Sequence, residues 1–220
     1  MEACIFDLDG VIVDTARYHY LAWKRLAAEL GFELTPEDNE RLKGVSRIQS
    51  LNIVLEIGGI DADANERERL AEKKNTWFNE LIAKMEPGEI FPGVKALVSG
   101  LRSSGRKVAL ASSSKNAQLV VDRLQIRDLF DVIVDGSMIE HTKPDPEIFL
   151  LTAERLDVPP PNCLVFEDAE AGVEAALAAG MKCVGIGSPT RLGKAHLVLP
   201  SVGAFTAEML SQLEKTDQSK

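Results

Sequence analysis

Apolar residues gather in short runs bounded by turn residues, at positions 4–8, 107–111, 132–134, 163–166, 183–186 and 197–199. Runs of this kind predict buried strands. From the second run onward the gaps carry apolar residues at helical spacing: over 93–102 after Pro92, over 117–124, over 146–156, and over 170–179 closed by Gly180. Alternating strand and helix predicts an α/β fold, a doubly wound, Rossmann-like parallel sheet joined by right-handed crossovers.

The first strand breaks this rhythm. A mostly helical stretch several times the usual connection length separates it from the second strand, which predicts an inserted all-helical domain. Within it Tyr18, Leu21, Ala22, Leu26 and Leu30 recur at helical spacing until Gly31, and Thr35-Pro36 opens another helix in the order cap then proline. Helical pattern continues over 46–55 and 63–83. The seams fall at Asp14/Thr15 and at the turn-prone Pro87-Gly88, so the expected division is a helical domain over 15–86 and a sheet domain over 1–14 and 87–220. Pro159-Pro160-Pro161 reads as a stiff connector and the polar tail 214–220 as frayed.

Composition narrows the class of function. The 220 residues are 45% hydrophobic and 27% charged, an ordinary globular balance. Lysine and arginine total 25 against 34 acids, and the net charge of -9 argues against a nucleic-acid partner, so any bound phosphate must sit in a local pocket. The first apolar run stops at Asp7 without a basic lead, so neither a signal peptide nor a membrane span is expected, and the cytoplasm is the default location. Cys4, Cys163 and Cys183 lack metal-ligand spacing and read as buried reduced thiols.

Parallel sheets bind ligands beyond the carboxyl ends of their strands, which directs attention to what stands there. The first strand ends in Asp7-Leu8-Asp9-Gly10, the second in Ser112-Ser113-Ser114-Lys115-Asn116, the third is followed by Thr142-Lys143-Pro144, and the fourth ends in Glu167-Asp168. Singly, these features are ordinary: Asp-Gly is a turn signal, Lys-Pro suits an exposed loop, and acids favour a helix start. Their placement at strand ends in this order is not predicted by those local explanations. Four acids with two lysines and a run of hydroxyls would leave charge unpaired unless a cation and an anionic ligand bind. Asp7, ionised at neutral pH, suits a nucleophile, and Asp9 a general acid and base. Asp7, the Asp9 carbonyl, Glu167 and Asp168 form a plausible hard-oxygen shell for magnesium. Lys143, the Ser112 hydroxyl and the Ser113 amide suit phosphoryl oxygens.

These four motifs, in this order, resemble those of the haloacid dehalogenase phosphotransferase superfamily, and the insert is similar to its first type of helical cap. More narrowly, Asp14-Thr15-Ala16, His19, Trp23, the segment 42–47, Lys73-Lys74-Asn75 and the segment 111–116 resemble the β-phosphoglucomutase family. That resemblance implies interconversion of β-glucose 1-phosphate and glucose 6-phosphate through phosphorylated Asp7 and β-glucose 1,6-bisphosphate. It implies that Arg47, Ser114, Lys115 and Asn116 hold the distal phosphate, that Gly44 and Val45 add backbone contacts, and that Trp23 and Leu42 line the sugar. His19, Thr15 and Lys74 would orient Asp9 when the cap closes.

On periodicity alone His19 and Trp23 are core packing, and Arg47 and Lys74 solvated surface charge. Val11 stands where superfamily phosphatases commonly carry a hydroxyl, and Ala169 where a serine is frequent, which would loosen support around the metal acids. His141 and His196 have no motif around them. The alternative activity is that of a sugar-phosphate phosphatase of the same superfamily. A non-enzymatic phospho-aspartate receiver module would share the acids and the lysine but not the helical insert. The expected partners are small sugar phosphates, met by a monomer.

Overall fold

The computed structural model describes residues 1–42 and 46–215 and divides into two compact units. One takes Met1–Asp14 together with the chain from Glu86 onward; the other is Thr15–Met85. The first holds a parallel sheet of β1 (Ala3–Phe6), β2 (Lys107–Ala111), β3 (Val132–Val134), β4 (Cys163–Glu167), β5 (Lys182–Ile186) and β6 (Leu197–Leu199). Their spatial order is β3-β2-β1-β4-β5-β6. The helical unit contains α1 (Ala16–Glu29), α2 (Pro36–Glu40), α3 (Arg47–Gly58) and α4 (Ala64–Ile82). In the sheet unit follow α5 (Val94–Ser103), α6 (Ala117–Leu124), α7 (Glu147–Leu156), α8 (Glu170–Ala178), α9 (Pro189–Leu192) and α10 (Ala207–Lys215). Among the described residues no helix is long and apolar enough to cross a membrane.

β1 is central, and every one of its residues is buried, as a strand covered on both faces requires. Ala3 and Ile5 pack with Ile148, Phe149 and Ala153 of α7 and Val173 and Ala176 of α8. Phe6 pairs with Phe166 of β4 and stacks on it with ring centroids 4.5 Å apart, while Phe205 meets Phe166 edge-on at 4.9 Å. All three cysteines are buried free thiols. Burial pushes Cys4 up to about 12 and Cys163 to about 11, so both stay protonated.

Local chemistry starts the helices of the other unit. Thr35 and Asp38 form a capping box with Pro36 in the first turn, Ser46 and Gln49 form a second, and Asp63 accepts from the Glu66 amide at 2.9 Å. Ala22, Trp23, Leu26 and Ala27 of α1 and Leu70, Ala71, Trp77 and Phe78 of α4 are the buried stripes of these neighbouring helices.

Several expectations need correction. Leu21 lies outside the buried stripe of α1 and is 48% exposed. β1 stops at Phe6, because the backbone turns where the Asp7 carboxylate captures the Asp9 amide. The chain at 214–215 is not frayed: it ends α10, whose Glu214 accepts from the N-terminal ammonium at 2.8 Å and from Arg106 at 3.0 Å. Pro160–Asn162 is a single 3-10 turn. Residues 216–220 lie outside the described residues.

Candidate active site

Strand order reverses on either side of β1, so the end of β1 faces loops from β2 on one side and β4 on the other. Asp7 is the first residue past β1, and its amide still donates to the Phe166 carbonyl at 2.9 Å. Its Oδ2 accepts from the Asp9 amide at 2.8 Å, and its Oδ1 accepts from Lys143 Nζ at 2.5 Å. The same ammonium donates to Glu167 Oε2 at 2.8 Å. Glu167 Oε1 in turn accepts from the amides of Asp168 at 3.2 Å and Ala169 at 3.1 Å. The Ala169 amide thus helps to fix the Glu167 carboxylate. Val11 is fully buried.

The serine run divides its labour. Ser112 is buried and its Oγ accepts from the Ser114 amide at 3.1 Å, while Ser114 Oγ accepts from the Asn116 amide at 3.2 Å. Two hydroxyls are therefore spent on turning the chain into α6. The Ser113 hydroxyl is buried and has no hydrogen-bond partner among the described residues. Lys115 is exposed.

Four further residues shape this edge. Gly10 has a φ of +78°, and a Cβ there would lie 2.0 Å from Asp168 Oδ2. At Gly172 a Cβ would lie 2.0 Å from Glu167 Cδ, so two glycines make room for the two acids. Asp135, buried past β3, accepts from the Ser137 amide at 2.8 Å and Gln118 Nε2 at 3.0 Å, and the next residue, Gly136, donates to the Ser114 carbonyl at 3.3 Å. A strand-ending Val134-Asp135-Gly136 was the available sequence signal.

Charge at the sheet edge is unbalanced. Asp7, Glu167 and Asp168 offer oxygens within 4.8 Å of one another, against the single ammonium of Lys143 among the described residues. Burial raises the Asp7 carboxyl, Glu167 adds to this, and Lys143 opposes without cancelling it. Burial and then Glu167, Asp7 and Asp9 raise Asp168. Burial would lower Lys143, but Asp7 and Glu167 outweigh it and keep the ammonium charged. Mutually repelling hard-oxygen donors of this kind fit a divalent cation such as magnesium.

In the helical unit Lys74 is not solvated. It is buried, with Nζ 2.7 Å from His19 Nδ1, 4.5 Å above the Trp23 ring and 4.9 Å from that of Phe78. Being enclosed on the α1 side of α4 overrides the expectation of a surface charge. His19 stacks on Phe78 at 3.9 Å. Arg47, at the first position of α3, is half-buried, again against expectation. Burial and then Arg47 lower Lys74 to about 7, and burial, Lys74 and Arg47 hold His19 well below its ordinary value. Thr15 is buried, and its carbonyl accepts from the amides of Tyr18 and His19 at 3.0 and 3.1 Å. Trp23 and Leu42 are buried; Gly44 and Val45 lie outside the described residues. His141 pairs with Glu147 at 3.1 Å, and His196 Nδ1 accepts from the Cys183 amide at 3.2 Å.

A doubly wound parallel sheet with a helical insert after its first strand, and carboxylates around one lysine at the strand ends, defines an α/β enzyme built for transfer of an anionic group. Residues 1–180 match the family model of haloacid dehalogenase-like hydrolases, and the chain belongs to that family. It is 44% identical over 214 residues to β-phosphoglucomutase of Bacillus subtilis (strain 168), covering 96% of this chain and 95% of the relative. It is 36% identical over 219 residues to the phosphorylated carbohydrates phosphatase of Thermotoga maritima, covering 98% and 99%. The crystal structure of β-phosphoglucomutase from Clostridium difficile superposes with a TM-score of 0.90 at 41% identity, covering 100% of both chains.

Proposed function

We propose that this enzyme is a β-phosphoglucomutase, interconverting β-glucose 1-phosphate and glucose 6-phosphate through phosphorylated Asp7 and β-glucose 1,6-bisphosphate. The observation that carries this reading is the gathering of nitrogen-bearing side chains in the helical unit: a half-buried Arg47 acting on a buried Lys74 whose Nζ lies 2.7 Å from His19 Nδ1. Such a group suits a phosphate that is not reacting. A phosphatase working at Asp7 needs one phosphate site, whereas a mutase must grip two at once. Arg47, a planar bidentate donor, suits the distal one.

In this reading Asp7 attacks phosphorus, the sugar–oxygen bond to phosphorus breaks, and Asp9 gives its proton to the departing sugar oxygen. In the return step Asp9 takes the proton from the attacking hydroxyl while the phosphoryl group leaves Asp7. Lys143, held by both Asp7 and Glu167, opposes the rise that burial imposes on the Asp7 carboxyl and balances the transferring oxygens. Ser112 and the Ser113 amide donate to those oxygens. Thr15, His19 and Lys74 orient Asp9; Ser114, Lys115 and Asn116 contact the distal phosphate, and Trp23 and Leu42 the sugar. Asp7, the Asp9 carbonyl, Glu167 and Asp168 would hold magnesium, which would supply the positive charge that these carboxylates and the phosphoryl oxygens require. The enzyme acts as a cytoplasmic monomer on small-molecule substrates.

The test is incubation with magnesium, β-glucose 1-phosphate and a trace of bisphosphate primer. Glucose 6-phosphate without matching release of inorganic phosphate is the expected result. Stoichiometric inorganic phosphate would favour the phosphatase reading, which the likeness to the Thermotoga maritima enzyme keeps in view.

A further inference from the structure

Three helices bring basic groups together inside the helical unit with little opposing charge. His19 comes from α1, Arg47 from α3 and Lys74 from α4; Glu72 of α4 is the acid that acts on Arg47. Glu72 acts on Arg47 through space, and the charge that acts on Lys74 is that of Arg47. The Lys74 amine is enclosed by an imidazole nitrogen at 2.7 Å and by the faces of Trp23 and Phe78.

We propose that the Lys74–His19 pair takes up one proton when a sugar phosphate binds at Arg47, so that anion binding and protonation of this pair are linked. The proposal rests on the phosphomutase reading. As an ammonium, Lys74 donates to His19 Nδ1, which requires a neutral ring carrying its hydrogen on Nε2. Two cations at 2.7 Å would repel strongly, so the proton resides on Lys74 rather than being duplicated on His19. Rings solvate the ammonium weakly compared with water, and Arg47 repels it; together they leave a substantial share of the amine neutral near pH 7. A dianionic phosphate at Arg47 removes that repulsion and adds an attraction. The neutral amine then takes a proton from solvent and becomes an ammonium.

The sign of the linkage follows. Below pH about 7 Lys74 is already protonated, and this pair makes binding independent of pH. Above it, binding must bring a proton in, and affinity falls by up to about tenfold per pH unit until the midpoint of the bound form is reached.

The experiment uses Asp7→Asn protein, which holds ligand without transfer, with 13Cε-labelled lysine and glucose 6-phosphate as the probe. The Lys74 resonance is the one lost in Lys74→Met; should that variant fold poorly, the resonance that moves in Arg47→Gln identifies it. Titration is expected to give a midpoint near 7 without ligand and at least about one unit higher at saturation, with Arg47→Gln raising the ligand-free midpoint. Saturable binding with the same midpoint in both states overturns the linkage and leaves the mutase reading standing. A ligand-free midpoint near that of ordinary lysine also overturns it. Failure of glucose 6-phosphate to bind overturns both.

Discussion

Gly10 and Asp168 occupy one space: a Cβ on Gly10 would stand 2.0 Å from Asp168 Oδ2. The aspartate-rich loop after β1 and the acidic end of β4 are therefore fitted to each other through the absence of a side chain. Gly10→Ala should cost on the order of 1 kcal/mol in left-handed backbone strain, roughly 2–4 °C in Tm, and should also displace the Asp168 carboxylate. Thermal unfolding and magnesium titration of activity check this. An unchanged magnesium midpoint would mean that Asp168 does not need that space.

Asp7→Asn should abolish covalent phosphorylation while the fold persists, since Glu167 still holds Lys143 at 2.8 Å. Intact-protein mass after incubation with bisphosphate is the measurement. A stable phosphoryl adduct on this variant would remove Asp7 from the nucleophile's role.

Asp168→Ala should weaken magnesium activation and lower turnover together, because it deletes one of three oxygens gathered within 4.8 Å. Titration with magnesium should show a higher midpoint and a lower maximum. Parental values for both would exclude Asp168 from the metal shell.

Arg47→Ala should lower mutase turnover far more than the slow hydrolysis of the phospho-enzyme, because water attack at Asp7 involves no distal phosphate. Loss of a charge-assisted contact costs about 1.5–3 kcal/mol, roughly tenfold to a hundredfold if it acts in the transition state. Equal losses in the two assays, or none, would favour the phosphatase reading.

Lys74→Met should become progressively more stable than the parent as pH falls from about 10.5 to about 7, and the difference should then level off. The sign follows from a lysine whose folded value lies below its unfolded one. In that window the unfolded chain binds the proton and the folded chain does not, so the parent loses stability that the neutral methionine keeps. Melting temperatures of both proteins across this range check it, and parallel curves would show that Lys74 is charged in the folded state.

How much of this was legible beforehand depended on the range of the interactions involved. The pattern of apolar residues predicts α6 over the residues it occupies, and β2, β3 and β6 likewise, because a three- to five-residue apolar run or an amphipathic turn is a local pattern. α10 escaped because its buried side is little more than Leu210 and Leu213, and what ties it down is the N-terminal ammonium and Arg106, far away in the chain.

The α/β class, the helical insert and the acids, lysine and serines at successive strand ends are readable from the chain alone, since each follows from local periodicity and from the order of elements along it. The tertiary structure alone decided how those groups share their charge. Lys143 lies between Asp7 and Glu167 because β1 and β4 are neighbours, and the room that Gly10 and Gly172 leave matters because Asp168 and Glu167 face them. It decided also that Lys74 is enclosed by His19, Trp23 and Phe78 rather than solvated. A charge's partners and its distance from water are properties of packing between distant segments, and no pattern along one segment encodes them.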